Sequence, residues 1–218
     1  MSFTSADIVA ARRHLSRVDP VMRRLIATVG PFTLKLERHR FLMLVRSIIS
    51  QQISVAAARS IRRRLDEAVR PGRLTAVKLA ALSIDELRAA GLSPQKAGYL
   101  NDLARRVVDG SVRLNRLTAM DDEAAIAELV QIRGIGRWTA QMLLIFCLGR
   151  LDILPVDDFG LRKAVMQLYA LPSMSSPSQV AEIAAPWQPY SSVATWYCWR
   201  SLDLPKPVKA TATPQRAK

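Results

Sequence analysis

Residues 129–140 read Leu-Val-Gln-Ile-Arg-Gly-Ile-Gly-Arg-Trp-Thr-Ala. Leu129, Val130 and Ile132 close one apolar helical run and Thr139-Ala140 opens another, so Gly134-Ile135-Gly136 is a tight link between two helices. Glycine at 134 and 136 lets backbone approach a partner closely and admits positive φ angles. The helix expected over 137–148 presents free amide groups at its N-terminus, where an anion is favoured. Arg133 and Arg137 add charge beside it. Gly-x-Gly alone would fit an ordinary helical hairpin; with these neighbours it reads as a holder for a nucleic-acid phosphate. Farther on, the extended connector Leu151–Pro155 leads to Asp157-Asp158 and then to a helix reaching about Tyr169. A carboxylate there either caps that helix or does chemistry beside the hairpin.

Composition agrees with a polyanionic partner. The 218-residue chain carries 32 Lys and Arg against 18 Asp and Glu, a formal net charge of +14. A charge of that size repels itself unless a polyanion relieves it. Hydrophobic residues make up 50% of the chain, enough for a sizeable core. Cys147 and Cys198 lie far apart with no metal-ligand spacing, which argues against a zinc site or an iron–sulfur cluster and for two core thiols. The N-terminus has no signal-peptide pattern, and the apolar stretch near 139–149 is too short to span a bilayer. A cytoplasmic protein with no membrane partner is expected.

Apolar spacings of three and four predict helices over 5–16, 19–29, 40–50, 54–69, 122–132, 137–148, 178–185 and 190–201. Gly30-Pro31 and Pro71-Gly72 are breaks. Ser83-Ile-Asp-Glu86 is a capping box for a short helix that ends at Gly91, and Ser93-Pro94 opens the next, which runs to about Val108. Residues 32–36 are the one weak strand candidate. The fold class is therefore all-α. We expect two helical subdomains with a DNA-binding cleft between them: residues 40–150 with the hairpin, and residues 1–39 plus 151–204. Residues 205–218 read as a disordered basic tail.

The hairpin resembles that of the helix-hairpin-helix DNA glycosylase superfamily. The resemblance extends to Phe41-Leu-Met-Leu-Val-Arg-Ser-Ile-Ile-Ser-Gln-Gln-Ile-Ser, to Leu154-Pro-Val-Asp-Asp-Phe-Gly-Leu-Arg-Lys and to Trp187-Gln-Pro-Tyr with the helix through Trp199-Arg200. It covers residues from about 20 to 202. It is nearest to the bacterial 3-methyladenine DNA glycosylase II group, in the compact form without an N-terminal β-domain. That resemblance implies a monomeric base-excision enzyme that hydrolyses the N-glycosidic bond of alkylated purines, such as 3-methyladenine and 7-methylguanine, in double-stranded DNA and leaves an abasic site. It implies no cofactor for catalysis.

The resemblance assigns Asp158 as the catalytic carboxylate, with Asp157 a cap or structural partner. Asp158 would stabilise the positive charge that builds on the sugar as the bond breaks. Strand-cleaving relatives carry a lysine nucleophile where this chain has Trp138, and an indole forms no Schiff base. Trp138 and Trp199 are implied pocket walls whose faces attract cationic alkylated bases. Phe159 and Met142 are expected to line the same space, Met142 being equally well read as core. Gln52, bordered by Gln51 and Ile53, matches the wedge that fills the gap left by a flipped nucleotide, although a polar loop without contacts also fits. The implied DNA contacts are Gln51, Gln52, Ile53, Arg133, Gly134, Ile135, Gly136, Arg137 and Thr139. The family hairpin also binds a monovalent cation (Na or K) through backbone carbonyls, here those of Val130, Ile132 and Gly134. The basic run Arg62-Arg63-Arg64 fits either phosphate contacts or a solvated helix face. Two rival readings stay open. One is a non-catalytic DNA- or lesion-binding protein; the other is a glycosylase/lyase using Lys163 or Lys96.

Overall fold

The computed structural model describes residues 3–204. Among them are twelve α-helices and no strand: α1 Ser5–Val18, α2 Pro20–Val29, α3 Arg40–Ser50, α4 Val55–Ala68, α5 Ala76–Ala81, α6 Ile84–Ala89, α7 Pro94–Val108, α8 Asp122–Val130, α9 Arg137–Leu143, α10 Phe159–Leu168, α11 Pro177–Ala184 and α12 Ser191–Ser201. Most helix starts are written as local chemistry. Ser54, Thr75, Ser93 and Asp121 accept a backbone N–H from the third residue of the helix each precedes. Thr4–Asp7, Ser83–Glu86 and Ser176–Gln179 are full capping boxes. Each such cap contributes about 1 kcal/mol and fixes where its helix begins.

Several expectations are corrected. Residues 32–36 form no strand; they connect α2 to α3 without regular structure, and Glu37 N–H donates to the Phe146 carbonyl at 2.8 Å. The helix starting at Arg137 is α-helical only to Leu143 and continues as a π-helical turn, Leu144–Leu148, that ends at Gly149 in the left-handed region (φ 65°). α5 was not anticipated, because six residues are too few to show a helical period. The expected basic tail, 205–218, lies outside the described residues.

Buried apolar side chains fall into two clusters. One runs from Met43 to Ile153 and joins α3 through α9; the other joins α1 and α2 to α10, α11 and α12 around the fully buried Trp187 and Tyr197. Leu34 and Trp199 pack against both. The chain crosses back from the first cluster to the second through Leu151–Pro155, which is pinned along the start of α12. Ser192 N–H donates to the Leu151 carbonyl at 2.9 Å, Ser191 N–H to Asp152 at 3.1 Å, and Ile153 N–H to the Ser192 hydroxyl at 2.9 Å. That splint fixes where Asp158 comes to rest.

The second cluster is organised around one buried carboxylate. Asp19 caps α2, its Oδ1 accepting from Val21 N–H at 2.8 Å and Met22 N–H at 3.1 Å. Its Oδ2 accepts the Trp187 indole N–H at 2.9 Å and the Tyr169 hydroxyl. Burial and the bond to Asp19 raise the Tyr169 pKa. Cys147 and Cys198 are free thiols; burial pushes the pKa of Cys147 up to about 11 and that of Cys198 higher still. No helix among the described residues is long and apolar enough to cross a membrane.

Candidate active site

The two hairpin glycines do different work. Gly134 has φ +84°, and a Cβ there would lie 2.2 Å from the Tyr99 ring on α7. No other residue fits. Gly136 has an ordinary φ of −92° and caps α9, and a Cβ there would meet nothing within 4 Å. The expected positive φ is therefore absent at Gly136; what its missing side chain does is leave the outer surface bare. Arg133 and Arg137 are exposed beside it, but the side chains of Ile135 and Thr139 are buried in the core. The side chains at those two positions, one in the turn and one on α9, are therefore not available to a ligand at the surface, contrary to the expected contacts. Arg137 is paired with Glu123 at 2.5 and 2.9 Å, which raises the pKa of the arginine and lowers that of the glutamate.

Opposite the hairpin lies the loop after α3. Gln51 turns inward, its amide donating to the Gly134 carbonyl at 2.9 Å. Gln52 sits in the left-handed region (φ 56°) and is exposed, and Ile53 is 37% exposed. Lys96 holds the loop from below, its ammonium donating to the Ile49 carbonyl at 2.8 Å and to the Gln51 carbonyl. Desolvation lowers the Lys96 pKa. Loop and hairpin enclose an open hollow of about 560 Å³ lined by Gln51, Gln52, Lys96, Tyr99 and residues 134–136.

Asp158 lies where α9, α10 and α12 converge. It is 8% exposed and is the N-cap of α10, its Oδ1 accepting from Leu161 N–H at 2.6 Å. The Trp199 indole donates to the same oxygen at 2.7 Å, and the Trp138 indole donates to Oδ2 at 2.8 Å. Asp158 is thus the cap as well as the candidate catalytic group. Asp157, expected to cap or brace, is exposed instead.

The aromatic residues divide. Trp138 is 46% and Phe159 66% exposed, unusual for large apolar side chains in so compact a region. Trp199 is half-buried and stacks on Phe146, with ring centroids 5.6 Å apart and planes 13° from parallel. Met142 is buried in the first core cluster, the packing reading its sequence left open. Sequence reasoning missed Phe146, Tyr99, Glu123 and Gly160. A Cβ on Gly160 would lie 3.1 Å from Asp158 Oδ1 and 3.2 Å from Trp199, so glycine is what lets that indole press against the carboxylate. A glycine in the first turn of a helix was the available signal.

Residues 45–189 match the model of the HhH-GPD superfamily of base excision DNA repair proteins, and the chain belongs to that superfamily. Among curated relatives, DNA-3-methyladenine glycosylase 1 of Schizosaccharomyces pombe is 32% identical over 216 residues, covering 95% of this chain and 92% of that one. DNA-3-methyladenine glycosylase 2 of Escherichia coli is 28% identical, covering 71% of this chain and 55% of that one. Among solved structures, the S. pombe 3-methyladenine DNA glycosylase in complex with abasic DNA superposes with a TM-score of 0.80 at 30% identity, over 89% of this chain and 97% of that one. A DNA-3-methyladenine glycosidase from Bacillus halodurans gives 0.81 at 32% identity over 88% of each chain.

Proposed function

We propose that this protein is a monofunctional DNA glycosylase that flips an alkylated purine out of duplex DNA and hydrolyses its N-glycosidic bond. One observation carries the reading: a buried carboxylate held on both oxygens by two indole N–H groups, one of whose rings is half exposed beside a phosphate-type hairpin. Bond cleavage builds positive charge on the sugar C1′, and a fixed anion stabilises that charge without reorganising. The donors hold Asp158 still while the exposed face of Trp138 offers π density to a cationic base, which normal bases do not reward equally. Phe159 adds a second exposed ring next to Asp158, and Trp199, stacked on Phe146, holds the other carboxylate oxygen. Gln52, projecting in a left-handed conformation, fills the vacated stack.

Strand cleavage needs an amine at the sugar. Trp138 supplies none, Lys96 is engaged by two carbonyls, and Lys163 is exposed on α10. The product is an abasic site. The test is base release from methylated duplex DNA with nicking scored before and after alkali. Free 3-methyladenine with nicks only after alkali is expected; nicks without alkali would point to a lyase, and tight binding with no release to a lesion binder.

The carbonyls of Val130, Ile132 and Gly134 suit a monovalent cation. Those of Ile132 and Gly134 each accept one hydrogen bond, from Ile135 N–H at 3.0 Å and from Gln51 at 2.9 Å, and keep a second lone pair; that of Val130 ends α8. A cation there would add positive charge beside the phosphate. DNA affinity that is the same in potassium, sodium and choline chloride at one ionic strength would count against it.

A further inference from the structure

The run Arg62-Arg63-Arg64 does not act as a unit. Arg64 lies over the turn at Gly91, where a Cβ would come within 2.9 Å of its guanidinium. Arg62 and Arg63 instead line a groove of about 620 Å³ between α3 and α4 that shares none of the hairpin's residues. Its floor is apolar: Ile49, Ala58 and Val55, the last 68% exposed. Its rim carries five arginines (Arg46, Arg59, Arg62, Arg63 and Arg70) against two carboxylates, Asp66 and Glu67. Arg62 and Arg63 make helical pairs with Asp66 at 3.0 Å and Glu67 at 4.0 Å, which are weak at a surface and readily exchanged for a phosphate. Arg59 and Arg70 have no carboxylate partner among the described residues.

An apolar floor with a cationic rim complements a sugar–phosphate chain, whose ribose faces are apolar and whose phosphates are anionic. Position selects the occupant. The groove begins at Ser50 and Val55, which flank the loop bearing Gln52, and follows α4, whose 14 residues extend about 20 Å. The hairpin is tied to Gln51, and the hollow it forms with that loop shares no lining residue with the groove. We propose that the α3–α4 groove seats the backbone of the strand that pairs with the damaged one, so that the wedge is braced between two phosphate tracks. The proposal rests on the glycosylase reading above.

The experiment compares the full chain with Arg59→Ala and Arg59→Ala/Arg70→Ala, using Arg88→Ala on α6 as an exposed-arginine control. Binding to a duplex with one abasic analogue is measured from low to moderate salt, together with phosphate-ethylation interference on each strand. Each lost phosphate contact should lower the slope of log affinity against log salt by about 0.9, so the double variant should lose about 1.8 and the control nothing. Interference should vanish at phosphates of the undamaged strand and persist on the damaged one. Unchanged slopes with wild-type interference would overturn the proposal, as would loss confined to the damaged strand. Wild-type slopes accompanied by impaired binding of an acidic peptide would assign the groove to a protein partner instead. Wild-type protein that fails to bind duplex DNA at all would strike the glycosylase reading itself. Arg59→Gln keeps the aliphatic stem and separates loss of charge from loss of packing.

Discussion

Asp19 and Asp158 are constructed alike. Each is a buried aspartate that caps a helix with one oxygen, and each receives an indole N–H: Trp187 on Asp19, Trp138 and Trp199 on Asp158. They differ in what lies beyond the donors. Trp187 is completely buried and the Tyr169 hydroxyl takes a place on the same Asp19 oxygen, so that carboxylate is enclosed by protein. Trp138 is 46% exposed and Phe159, next to Asp158, is 66% exposed. An enclosed carboxylate holds its neighbours together; one whose donors carry a ring face to solvent can meet a substrate. Hydrogen bonding alone does not separate the two roles. The environment of the donors does.

That comparison can be broken by substitution at both sites. Asp158→Asn can keep the helix cap through its one amide oxygen but removes the anion and sets its NH2 against the Trp138 indole N–H. Single-turnover base release should therefore fall by about 10³-fold, with DNA affinity near wild type and stability lower by only about 1 kcal/mol. Asp19→Ala should do the reverse. It orphans a cap and two aromatic donors, and stability in denaturant should fall by about 3 kcal/mol with release per folded molecule retained. If Asp19→Ala instead silenced a fully folded enzyme, the division of roles would be wrong.

Smaller changes sharpen the contrast. Trp138→Phe keeps an aromatic face and deletes one donor to the carboxylate, so release should drop about tenfold, near 1.4 kcal/mol of barrier. Trp187→Phe deletes the matching donor at Asp19 and should cost about 1 kcal/mol of stability with no change in release. Gly160→Ala forces Trp199 and Asp158 apart by a few tenths of an ångström, and release should fall several-fold with binding intact.

Much of this architecture was legible in the sequence. Caps such as Ser83–Glu86 and Ser93-Pro94 write helix starts in local chemistry, and the Gly134 turn announced itself by composition. What stayed hidden depends on long-range packing. Nothing near Asp19 in the chain points to Trp187 or Tyr169, which lie about 150 or more residues away. Gly136 resembled Gly134 until Tyr99 distinguished them. Asp158 was legible as a candidate catalyst, but the two indoles that hold it were not, because they arrive from different helices, α9 and α12.

The most direct test of Asp158 as the group that stabilises the sugar cation uses a charged mimic of that cation. Affinity should be measured for duplexes carrying a cationic pyrrolidine in place of the damaged nucleoside's deoxyribose and for duplexes carrying a neutral abasic analogue. Wild-type protein should prefer the cation by at least about 10²-fold, and Asp158→Asn should lose that preference. Equal affinity in wild type, or a preference that survives in Asp158→Asn, would contradict the account.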